Sequence, residues 1–304
     1  MPVRSPSRSV LLGIGGHTRR VVGSSLEVST SVGVQPGGSV AITSKAGFQF
    51  ANPPGLYIPA YDGNPGVGLT DAGALTDYTG SSTIPQGDYT DKIFTGHHTS
   101  YNASTFTNCK FISGSNHSFL SRGGTRDTFT DCEFGGAGCS RQIYASGGTY
   151  TLIRCDISQA EDGAKWANGM QMQMCHIHDL NNPFSPSPHA DGVQAEGFMS
   201  TGTKIEFCHI DARRGSPLVD GNAAVFVKSD LNDQDGGIID NNYLNGGNYT
   251  LSLRTDGTPY TLTNMVVTDN TFGPDYRFGM KRVDSGTYAT WSGNVDYLGN
   301  PVTL

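Results

Sequence analysis

The fold is decided by a short segment that recurs along the chain: FTNCKF (106–111), FTDCEF (129–134), LIRCDI (152–157), MQMCHI (172–177) and IEFCHI (205–210). In each, a Cys is followed two residues later by Phe or Ile, with alternating residues around it. The frame continues with Asn in place of Cys in IDNNYL (239–244), VTDNTF (267–272) and WSGNVD (291–296). The anchors are Cys109, Cys132, Cys155, Cys175, Cys208, Asn242, Asn270 and Asn294, and subtracting successive positions gives 23, 23, 20, 33, 34, 28 and 24 residues. Alternation is the signature of strands. A period near 23 with occasional insertions is one turn of a β-solenoid plus the loops that bulge from it. The expected fold is all-β: a right-handed parallel β-helix over 83–304, preceded by a small β-rich anchoring region in 1–82.

A second ladder is expected later in each turn, from Gln142-Ile143-Tyr144, Gly169 to Met172, Gly192 to Ala195, Ala224 to Val227 and Tyr249 to Leu253. Within it, Ala167-Asn168-Gly169-Met170-Gln171 and Ala190-Asp191-Gly192-Val193-Gln194 nearly repeat. Side chains on a strand alternate between faces. That parity points Met170, Met172, Val193, Ala195, Val225, Val227, Leu251 and Leu253 inward, and Gln171, Gln194 and Phe226 outward. Five of the six cysteines hold equivalent places in consecutive turns. They are expected to stack as an inward column of reduced thiols, since free Cys packs as a small apolar residue. A zinc site built on Cys175-His176 and Cys208-His209 is the competing reading. Adjacent strand residues face opposite ways, so each Cys-His pair cannot share one ion, and no metal or cofactor is expected.

Composition narrows the function. Charged residues are 15% of the chain and Gly occupies 41 positions, which suits turns and strands better than helices. No apolar run is long enough to span a membrane. A net charge of −7 argues against a general nucleic-acid binder. The basic N-terminus carries an apolar stretch, Val10 to Ile14, too short for a signal-peptide core. Residues 1–82 are punctuated by Gln35-Pro36-Gly37-Gly38, Asn52-Pro53-Pro54-Gly55 and Gly63-Asn64-Pro65-Gly66, with one alternating stretch, Ser39 to Thr43. Alone, such a region buries too little apolar surface to offset its ordering entropy, so it is expected to attach to other chains.

Chemistry is expected where insertions cluster, because loops on one side of a solenoid form its binding surface. The spacing from first to second ladder widens in three neighbouring turns. Those segments carry Glu161, Asp162, Lys165 and Trp166; His178, Asp179, His189 and Asp191; and Asp211, Arg213, Arg214 and Asp220. This is the densest set of ionisable groups in the chain, and it suits an acidic or neutral glycan. Trp166, if exposed, is a stacking platform. His189 and Asp191, at i and i+2, are the candidates for acid–base work, and Asp191-Gly192 also reads as turn chemistry that begins a strand. A hydrolase would pair two carboxylates across the scissile bond. A lyase would need a base and a cation, for which His189, Arg213 or Lys228 could serve. Gln171, Gln194, Phe226 and Tyr144 would floor a sugar site.

The Cys/Asn-anchored turns, together with HADGVQ at 189–194, resemble the right-handed β-helix proteins of the pectate-lyase-like superfamily. They resemble more closely the minor tail proteins of phages infecting actinobacteria. The resemblance covers roughly residues 83–300. It implies a virion protein of the tail tip or spike, extracellular when acting. Residues 1–82 would bind other tail proteins, and the β-helix would meet host-envelope glycan, most simply as a homotrimer. The superfamily also implies an alternative, a polysaccharide lyase or glycoside hydrolase. The paired-Asp motifs of polygalacturonases and the Arg signature of pectate lyases are both missing from the sequence. Glycan contact is therefore assigned to Trp166, His189, Arg213, Arg214, Gln171 and Gln194, with His189 and Asp191 as catalytic candidates.

Overall fold

One bend in each turn of the chain falls at the residue just before the anchor. Asn108, Asp131, Arg154, Met174, Phe207, Asn241 and Asp269 all have φ between 51° and 57°, in the left-handed region. Such a residue costs energy unless it is Gly, so its recurrence marks a corner that the rest of the turn holds in place. The strand before each corner and the strand after it lie in different sheets.

The computed structural model describes residues 68–70, 72–113, 116–136, 139–166, 168–180, 189–197, 202–214 and 219–304, and the backbone of four short N-terminal strands. Among the described residues the solenoid has three parallel sheets, not two ladders. Sheet I has nine strands, from Asp88–Thr90 through Thr105–Thr107, Gln171–Gln173 and Lys204–Glu206 to Tyr288–Ser292. Sheet II has ten, from Thr76–Asp77 through Lys110–Ile112, Asp156–Ser158, His176–His178 and His209–Asp211 to Val295–Asp296. Sheet III has nine, from Thr83–Ile84 through Cys139–Ser146, Ala160–Lys165, Asp191–Ala195, Ala223–Lys228 and Tyr249–Arg254 to Gly279–Val283. The fold is thus a right-handed parallel β-helix. It already begins at Thr76, which pairs with Lys92, ahead of the expected start at residue 83.

The N-terminal residues Met1–Phe50 form a separate compact unit. It holds two antiparallel pairs, Val10–Ile14 with His17–Val21 and Val32–Val34 with Val40–Ile42. The Pro-Gly segments of the N-terminal region lie outside the described residues. The expected attachment of 1–82 to other chains falls mostly on residues outside the described ones.

The core is built from columns. Phe94, Phe111 and Phe134 stack at 4.7 Å per rung, and Phe106 stacks on Phe129 at 4.7 Å. That spacing is the separation of neighbouring strands, so each ring covers the next, and each buried Phe contributes on the order of 1.5–3 kcal/mol. The anchors form another column. Cys109, Cys132, Cys155, Cys175 and Cys208 are buried and unbridged. The amide of Cys155 donates to Cys175 Sγ at 3.4 Å, and that of Cys175 to Cys208 Sγ at 3.4 Å. The Cys208 amide donates to Asn242 Oδ1 at 2.8 Å, and the Asn242 amide to Asn270 Oδ1 at 3.0 Å. Sulfur and amide oxygen do one job here: each accepts the corner N–H of the preceding rung, which no sheet reaches. All eight residues expected to point inward are fully buried.

One expected strand moves. Gln171–Gln173 pairs with Thr151–Ile153 in sheet I, not with the strand of Val193. The partner of Val193 is Ala164, and that of Gln194 is Lys165. The structural equivalent of Asp191-Gly192 is therefore Asp162-Gly163, and the near-repeat at Asn168-Gly169 is a coincidence of sequence. Gly169 is a turn residue with φ 72°. Glu161, Asp162 and Lys165 accordingly lie on a strand rather than in a loop.

Candidate functional site

Two groups of polar side chains stand on the outside of the solenoid. The first lies where the strands of sheet III begin. A Cβ on Gly192 would sit 2.3 Å from Ile210 Cγ2 and 2.5 Å from the Ala224 carbonyl oxygen, and one on Gly163 would sit 2.7 Å from Ile177 Cγ2. Both glycines thus face the core at close approach, as do Ala164 and Val193 after them, so alternation is broken here; Asp162 and Asp191 instead meet the outer side chains of Arg141 and Gln194. Gly192 is needed for want of space and not for turn geometry; Asp191-Gly192 lies within a strand.

Asp191 is fully buried and Asp162 is 5% exposed. The Asp191 amide donates to Asp162 Oδ1 at 3.2 Å. Asn222 Nδ2 donates to Asp191 Oδ1 at 3.0 Å, and Gln194 Nε2 to Asp191 Oδ2 at 3.3 Å. Burial pushes the Asp162 carboxyl up to about 7 against the pull of Arg141 and Lys165. Burial and the neighbouring Asp162 charge raise Asp191 well above the usual carboxylate range. Each carboxyl in this dry place is pushed towards its neutral form. Lys165 Nζ donates to Gln194 Oε1 at 2.7 Å and pairs with Glu196.

Along the same sheet runs an outer column. Ile143 pairs with Ala164, which sets Tyr144 beside Lys165. Lys165 pairs with Gln194, Gln194 with Phe226 and Phe226 with Ser252. Three of the four expected floor residues, Tyr144, Gln194 and Phe226, thus share one track with Lys165 between them. Gln171 is on sheet I, where it pairs with Lys204, and does not join them. Arg141 lies over the Tyr144 ring at 5.4 Å.

The second group stands on sheet II. Asp156 and Ser158 flank the buried Ile157, His176 and His178 flank Ile177, and His209 and Asp211 flank Ile210. These polar residues face outward in register: Asp156 opposite His176, and His176 opposite His209. Asp156 Oδ1 lies 2.9 Å from His178 Nε2 and 3.3 Å from His176 Nδ1. Burial opposes its charge, but the bonds from His176 and His178 outweigh that and hold Asp156 at about 2. Burial lowers His209 to about 3, helped by the charge of His176. For His178, burial is outweighed by its bonds to Asp156 and Asp179, and its net shift is upward. Of these residues, His178, Asp179 and Asp211 were visible in sequence as chemistry. Asp156 was read only as a strand residue, and His176 only as the neighbour of Cys175 in the zinc reading that strand alternation set aside. The signal was His176-x-His178 with a carboxylate at the equivalent place one turn earlier.

The remaining sequence candidates scatter. Trp166 is 3% exposed and belongs to the core, so it offers no surface to a sugar. The reason is its place: it directly follows the strand Ala160–Lys165, and its amide bonds to the Gln194 carbonyl at 2.7 Å. His189 is exposed, two residues ahead of Asp191. Arg213 is bound to Asp211 at 2.9 Å and to Asp275 at 2.9 Å, beside the second group. The backbone of Arg214 pairs with Val219; its side chain, and that of Asp220, lie outside the described residues. Comparisons of the whole chain find no matching family model, no matching curated protein and no matching solved structure.

Proposed function

We propose that this chain is a virion structural protein, a phage minor tail protein of the tail-tip or spike type, whose β-helix contacts host-surface glycan. The observation that carries the glycan contact is the outer track Tyr144, Lys165, Gln194 and Phe226, in register on consecutive turns of sheet III. It places an aromatic ring, an ammonium and an amide on a rigid wall. These groups suit stacking on, and hydrogen bonding to, a sugar chain. The tail assignment is supported by the likeness of the anchored turns and of HADGVQ to such proteins. Attachment through residues 1–82, the homotrimer and the extracellular site of action belong to the same reading.

The test joins binding and assembly. Tyr144→Ala with Gln194→Ala is expected to weaken binding to host envelope polysaccharide at least tenfold, a loss of about 1.4 kcal/mol, with an unchanged circular dichroism spectrum. Unchanged binding would remove the track as the contact surface. Deleting residues 1–50, the separate N-terminal unit, is expected to leave a soluble β-helix that no longer joins the particle, and sedimentation of the full chain should give three times 32.3 kDa.

The alternative is a lyase or glycoside hydrolase, and Asp162 with Asp191 is the observation that favours it. A carboxyl raised to about 7 is a competent general acid. Yet Asp191 is fully buried and Asp162 nearly so, so a glycan on the track would not reach them in this conformation. Polysaccharide shortened by the wild-type protein, and spared by Asp191→Asn, would decide for the enzyme.

A further inference from the structure

We propose that Asp156, His176 and His178 form a binding site for one divalent transition-metal ion that ties two successive turns of the solenoid together. The site is separate from the outer track of sheet III, and the proposal stands whether or not the chain belongs to a phage tail. One potential ligand atom from each of the three residues lies within 4.8 Å of the others. Asp156 Oδ1 is 2.9 Å from His178 Nε2 and 3.3 Å from His176 Nδ1. Ligands held about 2.1 Å from a tetrahedral ion stand roughly 3.4 Å apart, so the carboxylate already sits near ligand spacing from both nitrogens.

The backbone accounts for the arrangement. His176 and His178 leave one strand on the same side because they are two residues apart. Asp156 comes from the preceding turn, in register with His176. Two imidazoles and one carboxylate, with further positions open, suit zinc, cobalt, nickel or ferrous iron, whereas calcium and magnesium prefer sets made of oxygen.

A second observation points the same way. His178 Nδ1 lies 2.8 Å from Asp179 Oδ2. A carboxylate on the far nitrogen is how metal-bound histidines are oriented, because it keeps a proton on Nδ1, so that Nε2 is the nitrogen that gives up its own and ligates. Here that Nε2 is the atom aimed at Asp156. The two imidazole rings are stacked, 12° from parallel with centroids 4.1 Å apart. Their lone pairs therefore run side by side, and loading requires one ring to turn about its terminal torsion. That torsion is broad in histidine.

The experiment uses the full chain after treatment with a chelator. Titration with cobalt(II) should give one ion per chain and a visible absorption band of low-symmetry coordination, and zinc should displace it. Excess calcium should not. His176→Gln with His178→Gln should abolish the band. Asp179→Asn, on an exposed position, should weaken affinity at least tenfold, the range expected for loss of an orienting partner. Absence of a cobalt signal would overturn the proposal. So would equal displacement by calcium, or binding that survives the double substitution or is unmoved by Asp179→Asn.

Discussion

The anchor column makes a quantitative demand on Asn242. Its side chain is fully buried. Oδ1 accepts the Cys208 amide at 2.8 Å, and Nδ2 donates to the Ile205 carbonyl at 3.0 Å and to Asn270 Oδ1 at 3.0 Å. Asn242→Ala removes all of these. Asn270 Oδ1 keeps the Asn242 amide as a donor, so it stays satisfied, but the Cys208 N–H is orphaned inside the protein. An unsatisfied buried group costs about 1–3 kcal/mol, and the lost Ile205 contact and small cavity add on the order of 1–2 kcal/mol. The expected loss is about 3 kcal/mol. Asn242→Cys should cost only about 1 kcal/mol, because a thiol already accepts this bond one turn earlier, from Cys175 to Cys208. Urea unfolding followed by tryptophan fluorescence gives both values. The reasoning fails if the alanine variant loses less than about 1 kcal/mol, or if the cysteine variant is no better than the alanine one.

Other outcomes follow from the same architecture. The six cysteines should resist alkylation in the native state and all react after denaturation without reductant; two or more found bridged would refute the stacked-thiol column. Phe207, 44% exposed with φ 57°, occupies the bend. Phe207→Gly should therefore leave thermal stability unchanged or raise it by up to ~0.5 kcal/mol, and Phe207→Val should lower it by at least about 1 kcal/mol. Asp162 binds its proton more tightly folded than unfolded. Its contribution is thus fully present below the unfolded pKa and is lost as pH rises from about 4 towards 7. Asp162→Asn should flatten that slope in denaturant midpoints measured across the same range, and an unchanged slope would place the titration elsewhere.

Much of this protein was legible in one dimension. A fixed anchor, a period near 23 and strict alternation imply a solenoid, because stacking is how so short a unit buries its apolar face. The same parity correctly turned the cysteines, Met172, Val193 and Val225 inward, since the faces of a strand follow from counting. Counting cannot say which strand neighbours which. As five-residue segments, Ala167 to Gln171 resembled Ala190 to Gln194 more closely than Glu161 to Lys165 did, yet the register pairs Ala164 with Val193. The third sheet stayed hidden for the same reason: strands of two or three residues carry too few alternations to announce themselves. The tertiary structure alone decided the fate of Trp166, which packs into the core beside the strand it follows. It also brought together Asp156, His176 and His178, with 20 residues separating Asp156 from His176. Composition fixed what the chain could bury, but only the stacking of one turn on the next determined which polar groups met outside.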